Sequence, residues 1–161
     1  MITSDNIYRA IKTRLKEFFK PKDLQIKDIK NIEAPCLYVQ YVNSSDNEVA
    51  NDTISTKCLF NVVYFASVEA LTNLLEVETR LKKAFKKALP VEYVNANGEK
   101  VRKFIKPEVD SDPDENDYIF SMSLNFEFLQ DAEIEIDEFN TGEFDNPELM
   151  EELRINKGKE N

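Results

Sequence analysis

The chain has 161 residues, 42% of them hydrophobic, which is enough for one domain with a sizeable core and too short for two. Thirty-one acidic against 21 basic side chains leave a formal net charge of −10, which argues against general affinity for nucleic acid or an anionic membrane, since both need clustered cations. With no histidine and three glycines, the chain lacks a conventional triad base and the material for phosphate-cradling loops.

In chain order, Ser4 caps a helix running to about Lys20, where Pro21 stops it. Ile7, Ile11, Leu15 and Phe18 recur on one face, widened by Ala10 and Phe19. "LQIKDI" (24–29) is a short strand, and "APCLYVQYV" (34–42) a longer one with Pro35 at its start. "NSSDNEVAND" reads as a polar loop. "TISTKCLFNVVYFA" is then a strand with Ile54, Cys58, Phe60, Val62 and Tyr64 on one face, half exposed at first and buried on both faces at its end.

A second helix is expected from about Val68 to Leu89, ended by Pro90, with Leu71, Leu74, Leu81 and Phe85 as its stripe. Lys83, Lys86 and Lys87 sit opposite that stripe, where cations suit the helix dipole. "VEYVNANGEKVRKFI" predicts a hairpin turning at Asn97-Gly98. "PEVDSDPDENDY" predicts an acidic loop. "YIFSMSLNFEFLQ" alternates cleanly, with Tyr118, Phe120, Met122, Leu124, Phe126 and Phe128 inward. The order of elements specifies an α+β fold: an antiparallel or mixed β-sheet with two helices on one face and a hairpin near 91–106. Residues 1–130 form the core domain and 131–161 an acidic C-terminal extension, in which Asn146 and Pro147 carry a helix-start signal.

Charge is uneven along the chain. From Asp131 onward there are eleven acidic and three basic side chains, a net of −8, so the rest of the chain carries −2. "FLQDAEIEIDEF" puts Asp131, Glu133, Glu135 and Asp137 on one face of an extended segment. Such a ladder serves as a solvated edge that discourages aggregation, as an interaction surface for cations such as Lys83, Lys86 and Lys87 on another copy, or as a surface that repels or mimics DNA.

No catalytic, cofactor or metal constellation emerges. There is no GxSxG, P-loop or CxxC, and the carboxylates lie in runs that read as solvated. Asp110, Asp112, Asp114 and Asn116 alternate as early calcium ligands do, but Glu115 stands where the loop needs glycine and Ser121 where it needs a bidentate Glu. Cys36 and Cys58 read as small buried hydrophobes of a reduced protein. The opening "MITSDNIYRAIKTRL" has neither a basic n-region nor an apolar h-region, and no stretch is long and apolar enough for a membrane span. The expectation is a protein made and kept in the cytoplasm, or leaving it only inside a larger particle.

The stretches "TSDNIYRAIKTRLKEFF", "APCLYVQYV" and "KCLFNVVYFASVEALTNLLEVETRLKKAF", followed by the long alternating strand, resemble the tail terminator (collar) proteins of bacteriophages and contractile tail particles, with clostridial and bacillar prophage members most similar. The resemblance covers residues 1 to 130 and rests on element order and hydrophobic pattern. It implies a non-enzymatic virion or tail-particle protein that forms a homo-hexameric ring on the tail tube protein and stops polymerisation. It also implies contact with the sheath protein where the tail contracts, and with a head–tail connector. The contrasting expectation is a small acidic DNA-mimic inhibitor or anti-repressor bound to a basic protein partner.

Overall fold

The computed structural model describes residues 1–20, 25–27, 34–66, 71–114 and 118–131. Its elements are α1 (Ser4–Phe18), β1 (Gln25–Lys27), β2 (Cys36–Ala50), β3 (Thr53–Phe65), α2 (Leu71–Phe85), β4 (Leu89–Val94), β5 (Lys100–Ile105), β6 (Glu108–Asp114) and β7 (Ile119–Asp131). Five strands form a mixed sheet in the order β1-β2-β3-β7-β6, parallel only between β1 and β2, and β4 and β5 form a separate hairpin. The fold is α+β, as the sequence predicts.

Alternation in β3 and β7 builds the core. The two strands pair antiparallel over their full lengths, from Thr53–Asp131 to Phe65–Ile119, without a register shift. Cys58, Phe60, Val62 and Tyr64 therefore face the same side as Phe120, Met122, Leu124, Phe126 and Phe128, and all are buried. Against this wall pack Ile7, Ile11, Leu15 and Phe19 from the first helical segment, with Leu74, Leu81, Ala84 and Phe85 of α2. Phe60 lies at the centre, its ring 6.3 Å from Phe126 and 5.5 Å from Tyr41, both edge-on, and 6.4 Å from Tyr8. Arg14 joins the helices by donating to the carbonyls of Ala84 (2.9 Å) and Ala88 (3.3 Å), two acceptors at and beyond the end of α2.

Several expectations are corrected in detail. The cap of α1 is Thr3 rather than Ser4. Its hydroxyl accepts from Asn6 N while Asn6 Oδ1 accepts from Thr3 N, a reciprocal pair that stops the helix unwinding. α2 ends at Phe85, because Leu89 and Val91 are buried as strand residues and the chain must straighten to place them. Pro90 thus lies inside β4. The stretch expected as the polar loop is mostly strand: β2 continues to Ala50 and turns at Asn51-Asp52, with Asp52 at φ 65. Pairing with β3 overrides its weak local propensity.

Of the stretch expected as an acidic loop, Glu108–Asp114 is strand β6, paired with β7 from Glu108–Asn125 to Asp114–Ile119, and residues 115–117 lie outside the described residues. An extended strand strings Asp110 and Asp112 out along one face instead of curling them round an ion. The hairpin turn spans residues 95–99. Asn95 Oδ1 accepts from the amides of Asn97 and Glu99, and only Gly98 needs positive φ (78). Tyr118, expected inward, occupies the turn before β7 at φ 52. The face of β3 away from the helices stays half-buried at Val63 and Phe65 rather than closing over. Pro21 and the segment after Asp131, including Glu133, Glu135 and Asp137, lie outside the described residues.

Cys36 and Cys58 are both buried, and neither is in a disulfide. They face Phe65 and Ser44 in the β2–β3 register, so the cysteines lie seven positions apart along β3, roughly 20 Å, far beyond disulfide reach. Burial, reinforced by the Asp46 carboxylate and opposed by the Ser4 hydroxyl, pushes the Cys58 thiol above its ordinary pKa. Both thiols should resist a soluble thiol reagent in the native protein and react within seconds in denaturant, measured by absorbance. Phe126→Ala should lower unfolding stability by about 3–5 kcal/mol and Leu129→Ala, on the open face, by less than about 1, measured by urea titration.

Candidate functional site

Sheet order leaves much of the molecule open. Both helices cover the even face of β3 and β7, so the odd residues of these strands form a second face. In rows across β3, β7 and β6 this face carries Val63, Ser121 and Asp112; Asn61, Ser123 and Asp110; and Leu59, Asn125 and Glu108. Ser123 Oγ donates to Asn61 Oδ1 at 2.9 Å, and Lys57 Nζ meets Glu127 Oε1 at 3.2 Å, so matched polar pairs stand on this face among Leu59, Val63 and Leu129. An exposed pair of this kind contributes no more than about 1 kcal/mol.

One edge of this sheet is long and left uncovered by the described residues. β1 pairs with β2 only at Cys36–Tyr38. Among the described residues nothing pairs with the outer edge of β2 from Gln40 to Ala50, and every residue of that stretch is exposed. Tyr41, Val42 and Val49 stand 50%, 41% and 56% exposed there. An edge with free backbone donors and acceptors and apolar side chains is a template for another chain. The bulge between Tyr41 and Asn43 adds local twist to it.

The inner side of this three-stranded arm is held by polar contacts. Thr56 Oγ1 donates to Asp46 Oδ1 (2.6 Å) and accepts from Gln130 Nε2 (2.7 Å), and Gln130 Oε1 accepts from the amide of Ile2 (2.9 Å). This network links β2, β3, β7 and the start of the chain. Nothing in the hydrophobic pattern announced it.

Charge segregates across the molecule. Residues 82–106, from the end of α2 through the hairpin, hold eight basic and two acidic side chains, whereas 108–117 hold six acidic and none basic. Lys82, Lys86 and Lys106 surround an open groove of about 600 Å³ whose floor is Phe85, Pro107 and Val109, with Glu108 at the rim. Of the lysines the sequence singled out, only Lys86 lines this groove; Lys83 is exposed on the last turn of α2, whereas Lys86 and Lys87, expected on the helix, lie just past its end at Phe85. Lys82 adjoins Lys83 and was passed over, whereas Lys106 was missed because it lies far along the sequence and only the packing of the β5–β6 connection beside α2 brings it to Lys82 and Lys86. Among the described residues, Lys83, Lys86, Lys87 and Lys106 form no ion pair.

Lys82 bonds Glu78, which also accepts from Ser111 Oγ at 3.2 Å and so ties α2 to β6. The Lys82 hydrogen bond and charge, with that of Ser111, hold the Glu78 carboxyl below its ordinary range against the opposing effect of burial. Asp131, the one described member of the acidic ladder, is exposed on the open face, whereas the lysines belong to the helical layer on the other. Within one chain, Asp131 and these lysines do not meet.

No group of acidic, cysteine or histidine side chains suited to a metal ion occurs among the described residues. None of their helices is long and apolar enough to cross a membrane. What the geometry offers is edges, an open face and segregated charge, the equipment of a subunit that contacts other protein. A family model described as phage tail terminator protein matches residues 6–137, most of the chain and past Asp131 through the acidic ladder. The chain belongs to the phage tail terminator family. It is a structural protein of the tail that interacts with other tail components. No curated protein matches it.

Because the folded-state pKa of Glu78 is depressed, its contribution to stability is present above the ordinary value of 4.5 and is lost as pH falls through the lower, folded value. Lys82→Met should raise the Glu78 titration midpoint in a carboxyl NMR experiment. The stability gap between wild type and variant should be full at about pH 7 and shrink in acid.

Proposed function

We propose that this protein caps the tail tube as a closed ring of its own copies, six in number, stops further growth of the tube, and presents the collar or head-attachment face. Where the tail contracts, the same ring ends the sheath. The reading rests on family membership, and the observation carrying it on the molecule itself is the outer edge of β2, unpaired among the described residues from Gln40 to Ala50, with exposed Tyr41, Val42 and Val49. A closed ring needs two different patches meeting head to tail. The β2 edge supplies one by strand addition, and segregated charge supplies register.

In this reading the ladder Asp131, Glu133, Glu135 and Asp137 faces Lys83, Lys86 and Lys87 of the next copy. The position of Asp131 on the face opposite the helical layer favours contact between copies over contact within one. The role of the protein is mechanical, with no cofactor and no catalysis. The DNA-mimic alternative has less support, because the basic end of α2 and the hairpin make the body dipolar rather than acid over a whole face.

Deleting the protein in cells that assemble the particle should yield tubes of unregulated length by electron microscopy, corrected by supplying it in trans. Tubes of normal length would sink the capping reading. Lys83→Glu with Lys86→Glu, and separately Glu133→Lys with Glu135→Lys, should each lower ring yield at least tenfold in native mass spectra. The four changes together should restore most of it.

A further inference from the structure

The groove between α2 and the β5–β6 connection has a composition that specifies its occupant. Its floor is apolar: Phe85 is 1% exposed at the base and Val109 stands 38% exposed at the lip. Its rim holds Lys82, Lys86 and Lys106, of which the last two have no ion pair among the described residues. Such a surface fits a short amphipathic segment with closely spaced acids and a few bulky apolar side chains.

The chain carries one. Residues 143–155 read "EFDNPELMEELRI", with Glu143, Asp145, Glu148, Glu151 and Glu152 interleaved with Phe144, Leu149, Met150, Leu153 and Ile155, and Arg154 alone basic. From Asn146-Pro147, helical spacing would put Leu149, Met150 and Leu153 on one stripe between glutamates. We propose that this segment docks in its own chain's lysine-rimmed groove, the apolar stripe against the exposed Val109 above the buried Phe85, and the glutamates toward Lys82, Lys86 and Lys106.

Reach and tethering support the assignment. The groove borders Glu108, which pairs with Asn125, so Asp131 lies six residues further along β7, roughly 20 Å away at about 3.3 Å per residue. The thirty residues after Asp131 can span up to about 100 Å when extended. The eleven residues from 132 to 142 therefore cover the return with slack. Attachment to the same chain holds the segment at an effective concentration on the order of millimolar, so modest intrinsic affinity suffices. Charge balance points the same way: residues 132–161 carry a net of −7, against +6 over 82–106. The inference concerns the free subunit and does not depend on ring formation. Lys86 belongs to both surfaces, so a docked segment competes with a neighbour for it.

Zero-length carbodiimide coupling of the full-length protein, with equal parts of light and heavy-isotope chains mixed at low micromolar concentration, tests the proposal. Amide links from Lys82, Lys86 or Lys106 to acids within 143–152 should form in same-isotope pairs, at several times the yield of links from Lys100 in the hairpin turn. That yield should fall severalfold in about 0.5 M salt. It should fall likewise in Leu149→Ser with Leu153→Ser, a variant that leaves the described fold untouched, and should hold in Lys83→Glu with Lys87→Glu. Groove links no more frequent than those of Lys100, or links predominantly between light and heavy chains, would overturn it. Neither result bears on whether the protein caps tubes.

Discussion

The fold depends on the thirteen-residue pairing of β3 with β7. Without a register shift the two strands add their alternating side chains into one apolar wall, on which both helices and the β4–β5 hairpin settle. A slip of one residue would turn Phe120, Met122, Leu124, Phe126 and Phe128 outward together. The same alternation creates the other face, with its matched serines, asparagines and the Lys57–Glu127 pair. Core and open surface are two consequences of one register.

That register was the most legible part of the sequence, because Phe120 to Phe128 alternate without exception and both partner strands are long. The helices were legible for the same reason at a different period. What local pattern could not reveal was extension imposed from outside. Asn43 to Ala50 and Glu108 to Asp114 look like loops because their side chains are small or charged, yet each is held straight by a neighbouring strand. Pro90 misled as a helix stop: burial of Leu89 had already ended the helix at Phe85. Of the candidate site, Lys83, Lys86 and Lys87 were visible as a run, but Lys106 joins Lys86 only through the packing of a distant connection.

Charge is arranged in sequence blocks that the fold converts into regions of space. The basic block occupies the end of α2 and the adjoining hairpin, and Glu108–Asp114 of the acidic block form the neighbouring edge strand, with Glu78 and Ser111 bonded across their border. An edge lined by Glu108, Asp110 and Asp112 repels a second copy of itself, whereas the edge of β2 from Gln40 to Ala50 carries only Asp46 and Glu48. The β6 edge and the β2 edge past Tyr38 thus differ in what they accept, and head-to-tail contact is favoured over contact between like edges.

Gln130 bonds both the amide and the carbonyl of Ile2, so the last described strand is fastened to the first residues of the chain. A pull applied past Asp131 and directed along β7 would load its ladder with β3 in shear, with thirteen residue pairs sharing the force rather than opening one by one from an end. Through Gln130 part of that load would pass to the start of α1. A subunit strung this way is suited to carrying tension from its C-terminal side into its helical layer without unzipping.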